Sequence, residues 1–251
     1  MGRAAAQCFA DDGARIAVIA RSAADLDHTV ADLHRRGSPD AVGLIADTGD
    51  EDAVAAAFAA VAQRWGGELN ILVNAVGPNV QGSVEALSDD QWHQAIDGGA
   101  LGMVRCVRSA LPLLRQAQWA RIVNFSASST QRQGVTLAAY TAAKAVVTSV
   151  SKNLSLLLAP DEILVNVISP GSVASEALVG WAQTVGAATP GEDPDPYRLM
   201  EAITTHFGHP AHLPRAGLPA EIGPVVAFLA SRRNSYMTGA NINVDGGSDF
   251  T

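Results

Sequence analysis

The chain has 251 residues, of which 48% are hydrophobic and 17% are charged, which is enough apolar sequence for one large core in a single domain. Its formal net charge of −8, without any cluster of lysine and arginine, argues against nucleic acid as a partner. No uninterrupted apolar run reaches about 18 residues, so we expect no membrane-spanning segment.

Short runs rich in β-branched residues alternate along the chain with longer segments of helical periodicity. The predicted order is helix 3–12, strand 15–20, helix 23–36, strand 41–46, helix 50–65, strand 71–74, helix 88–116, strand 121–125, helix 138–159, strand 164–168, helix 219–231 and strand 241–244. This alternation indicates an α/β fold, with a doubly wound parallel sheet and helices on both faces. Ligands on such sheets bind at the carboxyl ends of the strands.

A stretch from about 176 to 216 interrupts the alternation between the fifth predicted strand and the last predicted helix. Its centre, residues 186–196, is rich in proline and glycine and cannot continue a helix. An insertion at the carboxyl end of a strand is a candidate substrate lid. A mobile surface loop explains this composition equally well.

The two cysteines, Cys8 and Cys106, lie in apolar helical patterns and are typical of buried free thiols. The N-terminus lacks the charged-then-apolar layout of a signal peptide. We therefore expect a reducing compartment and a cytoplasmic location.

Tyr140 and Lys144 are four residues apart in a predicted helix, so they share one helix face with Cβ atoms roughly 5–6 Å apart. An ammonium this close to a phenol favours the phenolate and should lower the tyrosine pKa. Such a tyrosine can exchange a proton with an alcohol or carbonyl oxygen. Taken alone, the pair is more often an ordinary surface pair, because short motifs recur by chance.

Two further groups of residues follow predicted strands. Asp47 and Thr48 come after the second strand, where a carboxylate can accept a hydrogen bond from an exocyclic amine; both residues also suit a helix N-cap. Asn74 ends the third strand, and Gly77 lets backbone approach a ligand closely. The alternative for these last two is a tight turn with an Asx hydrogen bond.

These motifs together resemble the classical short-chain dehydrogenase/reductase family, which has a Rossmann-type fold. The resemblance runs in order over nearly the whole chain. The segments that carry it are 13–22, Asp47-Thr48, Asn74-Ala-Val-Gly77, Tyr140-x-x-x-Lys144, 170–175, 215–221 and 238–247. Each segment is a weak signal, and their collinearity is a strong one.

The resemblance implies an oxidoreductase that interconverts a ketone or aldehyde and an alcohol by hydride transfer. It makes Tyr140 the general acid/base, while Lys144 lowers the tyrosine pKa and binds the nicotinamide ribose. Ser175 stands where relatives usually have threonine, and its hydroxyl would hold the carboxamide. The cofactor-binding positions that the family implies are Gly2, Arg21, Ser22, Asp47, Thr48, Asn74, Ala75, Gly77, Tyr140, Lys144, Pro170, Gly171, Val173 and Ser175.

Ala20 occupies the position where NAD-preferring relatives carry an acidic residue for the ribose hydroxyls. Arg21 and Ser22 follow it, and a guanidinium and a hydroxyl suit a 2′-phosphate that no carboxylate repels. We therefore predict NADP(H) as the cofactor, with NAD(H) as the alternative. An exposed loop arginine without a ligand is the other explanation of Arg21.

Three departures from the family pattern bear on this prediction, and the first is at the N-terminus. Family members begin with a strand and a Thr-Gly-x-x-x-Gly-x-Gly turn that binds pyrophosphate at a helix N-terminus. Gly2 aligns with the last glycine of that turn. The first strand and most of the glycine-rich loop are therefore missing from this sequence. We expect that the sequence starts inside a longer protein, because a sheet without a central strand would expose long unpaired edges. The alternative is a protein that binds its cofactor poorly.

The other two departures lie among the catalytic residues. Ala127 stands in the place of the family's catalytic serine, with Ser128 as the first candidate for its role and Ser126 as the second. Hydroxyls that merely satisfy the strand end are the alternative. The asparagine that holds a relay water in the family corresponds to Gly99, so we expect a different or weaker proton relay.

Three histidines recur at every third position, at His206, His209 and His212. Gly208 and Pro210 break any helix that would align them, so we predict no metal site. Packing of the lid or contact with substrate is the preferred explanation.

We predict an NADP(H)-dependent oxidoreductase of small carbonyl and alcohol substrates. By resemblance, it assembles as a homodimer or homotetramer through helices 88–116 and 138–159. Two alternatives remain open. One is a non-catalytic relative that binds a nucleotide or a protein partner; the other is a dehydratase or epimerase with the same fold.

Overall fold

The computed structural model describes residues 1–78, 80–208 and 210–248, and its strands and helices alternate as the sequence predicts. The strands are β1 (Ile16–Ala20), β2 (Ala41–Ile45), β3 (Ile71–Asn74), β4 (Ala120–Phe125), β5 (Ile163–Pro170) and β6 (Asn241–Val244). The helices are α1 (Gly2–Asp11), α2 (Ala23–Arg36), α3 (Glu51–Trp65), α4 (Asp89–Ile96), α5 (Gly102–Gln116), α6 (Ala138–Leu157), α7 (Glu176–Thr184), α8 (Pro196–Phe207) and α9 (Pro219–Ala230). Most ends differ from prediction by only one or two residues, which is the usual uncertainty of a helix or strand boundary.

Residues at several helix ends act as caps. The Ser22 hydroxyl accepts a hydrogen bond from an amide in the first turn of α2, and Ser88 forms a capping box with Gln91 at the start of α4. Gly37 and Gly66 end α2 and α3 in the left-handed conformation that glycine adopts without strain. These ends are therefore encoded locally.

The prediction of one continuous helix over 88–116 is wrong. A π-helical turn, Asp97–Leu101, separates α4 from α5. It contains Gly98 and Gly99, and two adjacent glycines weaken an α-helix. A Cβ at Gly99 would lie only 2.7 Å from Pro78 Cδ and 2.9 Å from Ala143 Cβ, so the turn packs closely against its neighbours.

All of the strands pair in parallel, and helices cover both faces of them. One core joins α3, α5 and α6 to β3, β4 and β5, whereas a second joins α1 and α9 to β4 and β5. A third packs α1 and α2 on β1 and β2. This confirms the predicted α/β fold with two helical layers around parallel strands.

The strands form two separate sheets, with order β1-β2 in one and β3-β4-β5-β6 in the other. A cavity of about 250 Å³ lies between them. Residues 16–19 of β1 line one side and residues 71–73 of β3 line the other, and apolar side chains such as Phe9 and Met103 close it. Among the described residues, β1 and β3 have no ladder partner on these facing edges.

Side chains tie the smaller sheet to the rest of the molecule. Asp40, just before β2, accepts hydrogen bonds from Arg64 Nη2 at 2.6 Å and from Trp65 Nε1 at 2.7 Å, both at the end of α3. Phe58 of α3 lies in the core shared with α5 and β4. Helix α3 therefore connects the two sheets.

The insertion at 176–216 forms α7 and α8 around a small apolar core of its own, which includes Ala182, Leu199 and Ala216. The Trp181 ring lies 5.0 Å from that of Phe207, between ring centroids. The segment therefore packs as a helical unit, and α8 begins only at Pro196, after the residues predicted not to be helical. Its role as a lid stays a prediction.

Both cysteines are unpaired; Cys106 is buried, which raises its thiol pKa to about 11, and Cys8 is half-buried. Within the described part of the chain, none of the helices combines the length and the apolar character that crossing a bilayer requires.

Candidate active site

The sequence-predicted site residues lie just beyond the carboxyl ends of β1–β5. They are Arg21 and Ser22 after β1, Asp47 and Thr48 after β2, Asn74, Ala75 and Gly77 at and after β3, Ser126 and Ser128 after β4, and Pro170, Gly171, Val173 and Ser175 at and after β5. Gly2 begins α1 so close to this edge that a Cβ there would lie 3.0 Å from Ala75 Cβ. The fold thus collects residues that are far apart in sequence.

Tyr140 and Lys144 lie in the first two turns of α6, on the same helix face. Tyr140 is half-buried, and Lys144 is only 3% exposed. The Lys144 Nζ donates hydrogen bonds to the carbonyl oxygens of Phe125 at 2.8 Å and Val76 at 3.4 Å. These two carbonyls belong to the ends of β4 and β3, so the lysine fixes α6 against the carboxyl edge of the larger sheet.

Burial, not charge pairing, dominates the pKa values of this pair. Burial lowers the Lys144 pKa to about 8, because the charged amine loses solvation. Burial also raises the Tyr140 pKa, which is opposite to the predicted lowering by Lys144. The physical reason is that the charged phenolate would lose solvation in this position.

Ser126 uses its hydroxyl to hold α6. It donates to the Lys144 carbonyl at 3.0 Å and accepts from Thr148 Oγ1 at 2.8 Å, and it is only 3% exposed. These bonds set the backbone position of the lysine, and they leave Ser126 poorly suited to polarise a substrate.

Ser128 begins a short 3₁₀ helix, Ser128–Thr130, directly after the buried Ala127. Its carbonyl accepts hydrogen bonds from the amides of Gln131 and Arg132, which fixes the turn. Its hydroxyl is half-buried and makes no hydrogen bond to another described residue. Of the two serine candidates, Ser128 is therefore the one with a hydroxyl available to a ligand.

Pro78 packs against Gly99, the position to which the resemblance assigns the relay asparagine. Any side chain there would collide with the proline ring. Gly77 is equally tight, because a Cβ there would lie 2.9 Å from Lys144 Nζ. Sequence reasoning identified the missing asparagine at Gly99 but not the packing of Pro78 against that glycine.

Asn74 belongs to a buried polar chain that sequence reasoning missed. Its Nδ2 donates to Asn124 Oδ1 at 2.8 Å, and Asn124 Nδ2 donates to Ser151 Oγ at 2.8 Å. Ser151 in turn donates to the Val147 carbonyl of α6. The sequence signal was an asparagine at or near the end of each of two predicted strands. The structure pairs these two residues, Asn74 and Asn124, in the parallel register of adjacent strands. This chain ties the two strand ends to the helix that carries Tyr140.

The residues predicted to bind the adenosine half of the cofactor lie at the ends of β1 and β2. Asp47 Oδ1 accepts from the Gly49 amide at 2.9 Å, and Asp47 Oδ2 lies 3.8 Å from a guanidinium nitrogen of Arg21. The Arg21 side chain is 82% exposed, so it can reach an added ligand. The Thr48 hydroxyl packs against Gly102, since a Cβ at that glycine would lie 2.8 Å from Thr48 Oγ1.

The segment after β5 is held rigidly. A Cβ at Gly171 would lie 2.7 Å from Asp245 Cα, so only glycine fits there. Val173 is buried and forms a β-bridge with Gly217. The Ser175 hydroxyl accepts from the Leu178 amide and caps α7. The hydroxyl predicted to hold the carboxamide thus already caps a helix.

The residues present fit a dinucleotide at this edge. Helix α1 begins at Gly2, and the positive N-terminal end of a helix dipole favours a phosphate. Gly2 brings that helix end against Ala75, and Arg21 and Asp47 lie at the ends of the neighbouring sheet.

The described residues hold no group of three histidine, cysteine, aspartate or glutamate side chains able to bind a metal ion. His206 lies with its ring 5.5 Å from that of Trp181 and edge-on to it, and its Nδ1 is hydrogen-bonded to the Ala202 carbonyl. His209 lies outside the described residues.

Comparison with known proteins shows where this arrangement belongs. Residues 1–249 match a family model described as enoyl-(acyl carrier protein) reductase. The chain belongs to the classical short-chain dehydrogenase/reductase family, a family of oxidoreductases with Rossmann-type folds.

Individual relatives cover nearly the whole chain. Meso-2,3-butanediol dehydrogenase of Serratia marcescens is 33% identical over 248 residues, which are 99% of this chain and 90% of the relative. Short-chain reductase protein NovJ of Streptomyces niveus is 30% identical over 247 residues, or 98% and 89% of the two chains. The structure of L-sorbose reductase from Gluconobacter frateurii, complexed with NADPH and L-sorbose, superposes with a TM-score of 0.90 at 25% identity, covering 100% of this chain and 92% of that one.

Proposed function

We propose that this chain is an NADP(H)-dependent oxidoreductase that interconverts a ketone or aldehyde and an alcohol, with Tyr140 as general acid/base. The observation that carries the proposal is the position of Tyr140 and Lys144 on one face of α6 at the carboxyl edge of the larger sheet. When bound, the nicotinamide dinucleotide supplies or accepts the hydride.

Three residues of the site, Tyr140, Ser128 and Lys144, each have a task in this proposal. Tyr140 donates its phenolic proton to the substrate oxygen in reduction and takes it back in oxidation. Its raised pKa keeps it protonated before reduction. Ser128 donates a hydrogen bond to the substrate oxygen. Lys144 holds the tyrosine's helix in place through the Phe125 and Val76 carbonyls, and its positive charge on the same helix face favours the phenolate that remains after proton transfer.

Replacing Tyr140 by phenylalanine tests this assignment directly. We expect turnover of ketones with NADPH, followed by nicotinamide absorbance, to fall by roughly 10²- to 10⁴-fold, because the variant lacks the proton donor. Tyr236→Phe is the matched control, since that side chain is 97% exposed and should keep full activity. Retained turnover in Tyr140→Phe would contradict the assignment.

The wild-type protein also separates the competing functions in this assay. Stoichiometric NADPH oxidation across a ketone panel supports the reductase. Product formation without net NADPH consumption would favour a dehydratase or epimerase. NADPH binding without turnover of any substrate would favour a non-catalytic nucleotide-binding relative.

The preference for NADP(H) rests on Arg21. Its side chain is 82% exposed and no acidic residue stands at Ala20, so a 2′-phosphate can replace the Asp47 carboxylate, 3.8 Å away, as the partner of the guanidinium. A guanidinium–phosphate pair is a strong charge-assisted contact. We expect Arg21→Ala to weaken NADPH binding by about tenfold or more, equivalent to about 1.4 kcal/mol, while NADH binding stays unchanged. Fluorescence titration with both nucleotides measures this, and tighter binding of NADH to the wild-type protein would reverse the preference.

We further infer a cytoplasmic homodimer or homotetramer that acts on small carbonyl and alcohol substrates. Its cysteines are unpaired, and α6 carries Leu156 and Leu157 at 70% and 61% exposure, which favours a partner on that helix. Sedimentation of the purified chain as a monomer would contradict the assembly.

A further inference from the structure

Arg132 lies where three segments of the described chain meet. It comes two residues after the 3₁₀ helix Ser128–Thr130, and its amide donates to the Ser128 carbonyl at 3.1 Å. Its guanidinium donates to the carbonyls of Gly208, Pro210 and Ser248, each at 3.0 Å. One side chain thus joins the serine-bearing turn to the end of the insertion and to the segment after β6.

The hydrogen bond from Arg132 to the Gly208 carbonyl is electrostatically favourable. Gly208 caps α8 in the left-handed conformation, so its carbonyl lies at the C-terminal, negative end of that helix. A cation at a helix C-terminus interacts favourably with the helix dipole. The planar guanidinium can also serve several carbonyls at once, which a lysine ammonium on its flexible stem does less well.

Two neighbouring hydrogen bonds connect the same three segments. Asn243 Nδ2 donates to Gln131 Oε1 at 2.8 Å, which ties β6 to the residue before Arg132. The Leu213 amide donates to the Gly246 carbonyl at 2.9 Å, which ties the end of the insertion to the segment after β6. The three segments therefore form one connected structure, and the Arg132 side chain has hydrogen bonds to both of the other segments.

We propose that Arg132 is a positioning residue that holds the end of the insertion at a fixed distance from Ser128, and so limits the size of the carbonyl substrate. This rests on the proposed oxidoreductase function. The geometry supports it because Ser128 and Arg132 are joined through the backbone, whereas the insertion is fixed to that turn by the guanidinium.

The first measurement needs no activity. Hydrogen–deuterium exchange is compared for wild type, Arg132→Ala and Arg132→Lys. We expect Arg132→Ala to raise exchange by roughly tenfold, or about 1.4 kcal/mol of local opening, at the C-terminal turn of α8 and in residues 128–134. Arg132→Lys should show a smaller effect. Arg198→Ala is the matched control, because Arg198 is an exposed arginine of the same insertion with no ion pair or hydrogen bond from its side chain to another described residue.

The second measurement is substrate selectivity. We expect Arg132→Ala to change the ratio of KM values for a bulky ketone and a small one by several-fold. Any fall in kcat from the loosened Ser128 turn should be the same for both ketones, and NADPH affinity should stay near wild type. Loss of stability alone would lower activity on both ketones in parallel and leave the ratio unchanged.

The outcomes are distinct. Exchange that is unchanged in α8 after Arg132→Ala overturns the proposal, whatever the activity. Increased exchange in both segments with an unchanged KM ratio keeps the structural junction but overturns the control of substrate size. Increased exchange together with no turnover in the wild-type protein would point to failure of the proposed function and not of the junction.

Discussion

Gly99 shows how a single residue changes what the site can hold. The π turn brings it against Pro78 and Ala143, and the family's asparagine cannot be added there without displacing the proline ring. Gly98, next to it, has nothing within 4 Å of the position where a Cβ would stand. Of these two adjacent glycines, Gly98 therefore has room for a side chain and Gly99 does not.

We expect Gly99→Ala to lower the free energy of unfolding by about 1–3 kcal/mol, the usual cost of overpacking a well-filled site. Gly98→Ala should be neutral or slightly stabilising, because alanine favours a helix and meets no neighbour. Urea denaturation of the two variants measures the difference. Equal stability of the two would show that Pro78 moves aside easily.

Sequence reasoning predicted which residues gather at the carboxyl edge of the strands, but not the directions of all their side chains. Spacing places Tyr140 and Lys144 on one helix face, and the structure has them there. The lysine has a long flexible stem, and spacing cannot show that its amine bonds to the Phe125 carbonyl. The use of Ser126 by α6 depends on a long-range contact with Thr148 in the same way.

At the scale of elements, local chemistry predicted the helix ends well and the long-range packing poorly. Ser22, Ser88, Gly37 and Gly66 act as caps because the relevant hydrogen bonds span only a few residues. The π turn was missed because apolar periodicity continues through it, and the close contact with Pro78 is a tertiary feature.

Asp40 gives a test of how α3 holds the smaller sheet. Hydrogen bonds from Arg64 and then from Trp65 lower its carboxyl pKa to about 2. Because the folded pKa lies below the ordinary value near 3.9, this contribution to stability is present above about pH 4 and is lost as the pH falls toward 2. We expect Asp40→Asn to lower the melting temperature at pH 7.

The same comparison at about pH 2 should show a smaller difference, because the wild-type carboxyl, with its pKa of about 2, is then about half protonated. Asp27→Asn is a suitable control, since Asp27 is exposed and has no ion pair or side-chain hydrogen bond within the described part of the chain. A difference between Asp40→Asn and wild type that does not depend on pH would show that the carboxylate charge is not what stabilises the contact.

At the scale of the molecule, alternation of strand and helix was sufficient to predict the α/β fold and its two helical layers. The insertion was harder, because proline and glycine at its centre obscure the two helices on either side. Its small core depends on Leu199 and Ala216, which lie far from Ala182 in sequence and meet only in the folded chain.

The division into two sheets has a consequence for cooperativity. Without ladder hydrogen bonds across the cavity, β1, β2 and α2 can open as a partial unfolding unit at a lower free energy than β3–β6. Arg21 and Asp47 belong to the first unit, and Tyr140 and Lys144 belong to the second. A dinucleotide bound to both units would stabilise the weaker one by mass action. Tighter binding of the cofactor would therefore bring the unfolding of the two units closer to a single cooperative transition.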